Sequence, residues 1–377
     1  MGIRLRPRPS MRNVLSAYRG VEPEVATTTL PAQGGPAYTV KMPNRFFLWL
    51  SEYPSPVEIV PKDCLPQLPI TDYRYFVRIM QYLDELLPDE GLTFVLTWHV
   101  DDFHEVMEDA VILQHGDEQY QIPWYHGRVR AMFKVSGLRP NPVRETLRLP
   151  PSIAWRCLLR DARNSLTRFR RMLKYGRPGK ISTPMYELPL GYFALLDFDP
   201  PPIEQRTVDV FFAGVLAGRG WSVRASVAAR QQMGAALAAA KKALPEYRVE
   251  ALWRPRKYDQ GLGPVAYTQA LANAKIALAP RGNIEETYRL LEAAKLGCVM
   301  VSEPLPSRWY FQNCPAIIVR KWSELPGVLR SLLDDPPKLK ELSRRGLAWW
   351  DSTISEKAIA EFIIQRVPQT SHLRQRV

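Results

Sequence analysis

Residues 276–301 read IALAPRGNIEETYRLLEAAKLGCVMV. A short apolar run ends in Pro280-Arg281-Gly282, a compact amphipathic stretch follows, Gly297 interrupts it, and a second apolar run closes the segment. Apolar runs of this length bounded by Pro and Gly read as buried strands and the stretch between them as a helix. The segment is therefore one strand–loop–helix–strand unit of a parallel α/β sheet. Asn283 stands as the helix N-cap, with Glu286 three residues on in the manner of a capping box, and Gly297 takes the left-handed position after the last turn. A helix N-terminus offers unpaired N–H groups and partial positive charge, which suits an anion such as a diphosphate. Arg281 and Gly282 fall at the carboxyl end of the strand, where such sheets collect ligands, and Arg289 adds charge on the helix. Glu292, further along, is placed to reach a ribose hydroxyl pair. A plainer reading stands beside this one. Glu285, Arg289 and Glu292 are spaced i, i+4 and i, i+3, as are solvent-exposed ion-pair ladders.

Working outward, the stretch VDVFFAG (208–214) reads as a strand over residues 208–212, followed by Gly214, Gly218 and Gly220 in a loop and a helix over 226–243. Glycines let a backbone approach a phosphate closely, and Arg219 and Arg224 supply charge there; the alternative is a tight strand-to-helix turn. Residues 247–253 (YRVEALW) read as the next strand, 267–273 as a short helix, 316–319 as a late strand and 338–367 as one or two helices.

Pro280-Arg281-Gly282, Thr287-Tyr288-Arg289, Glu292-Ala293 and Gly297-Cys298-Val299 together resemble the C-terminal domain of exostosin-like glycosyltransferases. More broadly, the stretch from about residue 209 to 362 is similar to nucleotide-sugar glycosyltransferases built from two facing Rossmann-like domains, the GT-B architecture. The resemblance implies an α/β fold with the nucleotide site in the C-terminal domain and a nucleotide-sugar donor, a UDP-sugar first. It also implies a glycan or lipid-linked acceptor and no required cofactor. Many retaining members carry two glutamates eight positions apart; Glu285 and Glu286 precede Glu292 by seven and six, so inversion is expected. Arg308-Trp309-Tyr310-Phe311 falls where such enzymes often contact the sugar or base, although its aromatics also suit a core.

The chain has 377 residues, of which 46% are hydrophobic, enough for two domains. The expected division is a basic arm over 1–37, an acceptor-side α/β domain over 38–200 and the nucleotide-binding domain over 201–377. The net charge is +13, and residues 123–180 hold fifteen of the 51 basic residues but two of the 38 acids, leaving 36 of each sign elsewhere. All the excess charge thus lies in one segment, which suits an anionic membrane surface or acidic acceptor more than nucleic acid. Its centre, residues 152–175, reads as a helix interleaving Arg156, Arg160, Arg163, Arg168, Arg170 and Arg171 with apolar residues. Two readings fit: a helix lying on a membrane, or a core-packed helix with a solvated arginine face. No apolar run approaches the ~20 residues of a membrane span, nor does the N-terminus hold the apolar core of a secretory signal. Cys64, Cys157, Cys298 and Cys314 lack metal-ligand spacing. A reducing cytoplasm, with peripheral attachment to the inner membrane face, is the expected location.

In the first half, FFLWL (46–50) and LTFVLTWHV (92–100) read as buried strands flanking a helix over 71–87 with Thr71 as N-cap. Inverting transfer needs a base for the acceptor hydroxyl and positive groups for the leaving diphosphate. Asp101, Asp102 and His104 follow a strand end and are the candidates, with Asp102 and His104 foremost; His115, Asp117 and His126 are rivals. The DDFHE run (101–105) also contains metal-ligand types, but no third element at fixed spacing accompanies it. A non-catalytic sugar-binding protein and a basic adaptor are the alternatives to an enzyme.

Overall fold

Parallel strands that carry apolar side chains on both faces must be covered by helices on both faces, and the chain solves this twice. The computed structural model describes residues 42–49, 55–68, 71, 73–98, 109–116, 120–175, 183–193, 195–215, 224–254, 262–282 and 284–368. The 1–37 arm, Asp101, Asp102, His104, Asp117, Gly218, Arg219, Gly220 and Asn283 lie outside them.

The first sheet contains β1 (Arg45–Trp49), β2 (Val57–Ile59), β3 (Thr93–Thr97), β4 (Ala110–Gln114), β5 (Ala131–Val135) and β6 (Met185–Leu188) in the order β2-β1-β3-β4-β5-β6. Only the edge strand β2 is antiparallel. β3, β4 and β5 are buried along their whole length. The second sheet contains β7 (Val208–Val215), β8 (Val249–Arg254), β9 (Ala274–Ala279), β10 (Val299–Ser302) and β11 (Ile317–Ile318), all parallel, in the order β11-β10-β9-β7-β8. Counted from β7, this is the doubly wound order 2-1-3-4-5, whose switch point lies between β7 and β9.

Among the described residues the helices of eight residues or more are α1 (Tyr73–Leu86), α2 (Pro151–Tyr175), α3 (Ala225–Ala243), α4 (Pro264–Ala272), α5 (Tyr288–Lys295), α6 (Leu325–Leu333), α7 (Pro336–Trp349) and α8 (Glu356–Ile364). A π-helical turn over Trp350–Ile354 separates the last two. The predicted boundary near residue 200 falls in the connection between β6 and β7, but the apolar core does not stop there. One buried cluster runs from Phe46 and Phe76 through Phe133 to Phe211, Ala277, Trp349 and Ile363. α8 crosses back from the second sheet onto α1, where the Tyr75 hydroxyl donates to the Ile354 carbonyl at 2.5 Å and Tyr192 donates to Glu356 at 2.7 Å.

The basic helix α2 forms where predicted, with Arg163 and Arg170 exposed but other arginines turned inward. Ile153, Ala154, Cys157, Asp161 and Asn164 are buried, and Arg160, Arg168 and Arg171 turn inward with them. Arg168 donates to the Leu138 carbonyl and Arg171 to Ile122 at 2.9 Å. The N-terminal half of α2 packs its small residues against Ala225, Ala228 and Ala229 of α3. α2 therefore touches both halves of the chain. Among the described residues no helix is long and apolar enough to cross a membrane.

Ile359 is fully buried in the shared core. Ile359→Ala should cost about 2–5 kcal/mol. Because that core joins both sheets, denaturant unfolding followed by fluorescence should keep one transition at a lower midpoint; early release of one half alone would contradict the shared core.

Candidate functional site

The two sheets turn their carboxyl ends toward each other. From the first come His115 after β4 and Gly137 after β5; from the second come Pro280-Arg281-Gly282 after β9 and Glu303 after β10. His115 Nε2 lies 3.2 Å from the hydroxyl of Tyr288, the first residue of α5. Gly137, at φ +87°, passes so close to Arg308 that a Cβ there would sit 2.6 Å from the guanidinium. Trp309 donates to the Glu187 carbonyl at 2.9 Å.

The loop after β9 is tighter than its sequence implies. Helix α5 begins at Tyr288, with Thr287 as N-cap and no side-chain cap bond. The expected capping box is thus not formed by Glu286, whose carboxylate instead accepts from the Tyr310 hydroxyl and from Arg308 Nη1 at 3.3 Å. Gly282 donates to the Glu286 carbonyl at 3.2 Å, and a Cβ on Gly282 would meet that oxygen at 2.4 Å, so the turn requires glycine. Gly297 stands at φ +65° behind the helix, as its place in the sequence predicts.

Arg281 is 2% exposed. Its guanidinium donates to Glu303 at 2.9 Å and to the Cys157 sulfur at 2.6 Å, and lies 3.7 Å from Glu285. Glu285 also accepts from Arg160 at 3.0 Å, and Arg160 pairs with Asp161. Burial alone would raise Glu285, but Arg160 and Arg281 hold it below the usual carboxylate range. The Tyr120 hydroxyl, buried and without a hydrogen-bond partner among the described residues, is pushed up by burial and by the Glu285 charge. These groups form a dry ion cluster between α2 and the β9–α5 loop. Such clusters roughly break even against apolar packing, but losing one member leaves an uncompensated charge.

A different corner faces the switch point. Arg289, on α5, donates to the Ala213 carbonyl and lays its guanidinium 4.6 Å from the Phe212 ring. Its Nε and Nη1 are buried with no hydrogen-bond partner among the described residues. Gly214 makes room for it, since a Cβ there would come within 3.0 Å of Arg289 Nη2. Arg230 on α3 lies close enough that burial and the Arg289 charge push it down to about 10, against the pull of Glu303. Arg224 is exposed at the N-cap of α3. Glu292 is 3% exposed; one oxygen accepts the Phe193 N–H at 3.0 Å and the other the Tyr267 hydroxyl at 2.6 Å. Gly214 and Arg289 thus meet at the carboxyl end of β7 and Glu292 holds Phe193 and Tyr267, while the charge of Arg281 is already engaged by Glu303, Cys157 and Glu285.

Sequence reading missed Arg230, which looks like any polar position on an alanine-rich helix, and the buried pair Glu286–Arg308. Tyr288 was noted only as part of a motif. His126 is half-buried and pushed down, first by burial and then by Arg168 and Lys134. Tyr310 and Phe311 are buried, and half-buried Trp309 stacks on Phe362 at 4.1 Å. Among the described residues no group of three or more His, Cys, Asp or Glu is placed to hold a metal, and the DDFHE run lies outside them.

No protein-family model matches the chain, and no curated protein does. Solved structures with similar architecture include the GtfA/B complex, at 10% identity over 78% of this chain and TM-score 0.39. A second is the pneumococcal O-GlcNAc transferase GtfA in complex with UDP and GlcNAc, at 13% over 78% and TM-score 0.41. A third is the glycosyltransferase SnogD from Streptomyces nogalater, at 13% over 86% of this chain and 99% of that one, with TM-score 0.38. The chain spans 60% and 59% of the length of the first two.

Burial pushes Glu286 up from its ordinary 4.5 to about 7, with Arg308 opposing and Glu187 and Glu285 adding. Between those values the folded chain holds a proton that the unfolded chain has lost. The stability this contributes is complete below 4.5 and is lost as the pH rises through about 7. Glu286→Gln should flatten this decline, by on the order of 2 kcal/mol between about pH 5 and pH 8. Parallel profiles for wild type and variant in denaturant titrations would show that Glu286 does not titrate there.

Proposed function

We propose that the chain is a nucleotide-sugar glycosyltransferase of the GT-B kind, moving a glycosyl group from a UDP-sugar to a glycan or lipid-linked acceptor with inversion. The observation that carries this reading is the Arg289 corner. Two buried guanidinium N–H groups lacking hydrogen-bond partners among the described residues stand over Gly214 at the switch point of a doubly wound sheet, with Arg230 beside them. Such a place, rich in positive charge and low in dielectric, suits a diphosphate. The PRG, EA and GC motifs on the same strand–helix unit add to it.

In this reading Arg289 grips the diphosphate, with Gly214, Gly282 and the exposed Arg224 bordering it, and Arg219, which follows β7 in the sequence, joining them. Arg281 contributes field from its buried cluster. Glu292, fixed by Phe193 and Tyr267, is the proposed ribose contact. The acceptor hydroxyl attacks the anomeric carbon and gives its proton to a base while the bond from that carbon to the diphosphate oxygen breaks. The leaving charge is met by the arginines. Asp102, His104 and Asp101, which follow β3 in the sequence, are the proposed bases. His115, already bonded to Tyr288, follows, then Asp117 and His126.

A panel of UDP-, GDP- and CMP-sugars in thermal shift tests the donor. The right nucleotide at 100 times its Kd should add about 2.7 kcal/mol, and no shift with any of them removes the reading. Arg289→Ala should weaken UDP binding by about 1.5–3 kcal/mol in calorimetry, since it removes charged hydrogen bonds from a shielded site. Alanine at the true base should lower kcat by about 10²–10⁴ with donor affinity retained; a chain that binds donor with no turnover is a sugar-binding protein instead.

A further inference from the structure

Helix α2 keeps an apolar stripe on its exposed side. Its inward face carries Arg160, Asp161, Asn164, Arg168 and Arg171, while Trp155, Leu159, Leu166, Phe169 and Leu173 are 47–67% exposed. At 100° per residue these five fall within about 40° either side of one line, a stripe about 27 Å long. Arg163, Arg170 and Lys174, all exposed, run along one flank of it. A stripe of this size is too apolar to be ordinary surface.

The charge beside the stripe selects its occupant. Residues 123–180 carry the entire +13 excess of the chain. A second copy of α2 would bring the same positive flank against itself. The chain's own first twenty residues hold five arginines and no acid, so they repel it too. An anionic bilayer surface satisfies both features, taking the apolar side chains below the headgroups and pairing the flank with lipid phosphates. We propose that α2 is a monotopic docking helix that seats the protein on anionic membranes through Trp155, Leu159, Leu166, Phe169 and Leu173. The inference does not rest on the reading of the sugar site. It places that site beside the bilayer, because α2 also carries Arg160 and Cys157 into the cluster at the β9–α5 loop.

The test is sedimentation of the full chain with vesicles of phosphatidylcholine alone or with phosphatidylglycerol. The protein should pellet with the anionic vesicles at low salt, weaken as salt is raised, and stay soluble with the neutral ones. The double variant Leu166→Glu, Phe169→Glu should lose at least about tenfold in vesicle affinity while keeping its circular dichroism and unfolding midpoint, because both side chains are exposed. Equal solubility with both vesicles overturns the proposal. So does vesicle binding that the double variant leaves unchanged, which would mean adsorption by charge alone. Finally, a concentration-dependent dimer in analytical ultracentrifugation, abolished by the same variant, would assign the stripe to a second copy and overturn it as well.

Discussion

Two residues of one short loop, Arg281 and Glu285, fasten the second sheet to α2, the helix between the last two strands of the first. The guanidinium of Arg281 is divided among Glu303, Cys157 and Glu285, and Glu285 is shared in turn with Arg160. Arginine suits this task because its planar fork serves several acceptors at once and stays charged when dry. With water excluded, each charge depends on the others for stabilisation, so the arrangement is close to all or none. Pulling α2 away by a few ångströms would leave Glu285 and Arg281 partly uncompensated in a region poor in solvent.

That constraint explains the division of labour among the basic residues. Arg281 is bound into the junction, Arg308 is held between Gly137 and Glu286, and Arg206 is spent on the Ala274 and Leu296 carbonyls. Arg289 is different. Among the described residues it makes one bond, to Ala213, and rests on Phe212, a posture that fixes its direction and leaves Nε and Nη1 without a partner there. An aromatic face beneath a guanidinium orients it without using its N–H groups.

Much of the second half was legible because its strands are short apolar runs separated by helical stretches: β7, β8, β9, β10 and the helices between them stand within a few residues of their predicted places. The first half was less so. β4 (AVILQ), β5 (AMFKV) and β6 (MYEL) are runs of four or five residues among polar stretches, too short for periodicity to separate from turns. For the site, spacing singled out Gly214 and Arg289, which meet in the fold, but not the engagement of Arg281, whose partners Glu303 and Cys157 lie 22 and 124 positions away. Periodicity likewise gave the amphipathic character of α2 but not its direction. Both orientations stayed open in the sequence; Glu285 and the carbonyls of Ile122 and Leu138 draw Arg160, Arg171 and Arg168 inward, while Arg163 and Arg170 stay exposed.

The return of α8 onto α1 sets an order of events during synthesis. A ribosome releases α1 and the whole first sheet long before residues 355–368 emerge, yet Tyr75, Met80 and Phe133 belong to a core that those last residues complete. Until then the first half presents an apolar groove where Ile359 and Ile363 will sit. The second half, whose strands are nearly contiguous in sequence, can close its own sheet first and then carry α8 back as the final piece. Nascent chains of this protein are therefore most exposed to aggregation, and to capture by chaperones, in the interval between the completion of β6 and the arrival of α8.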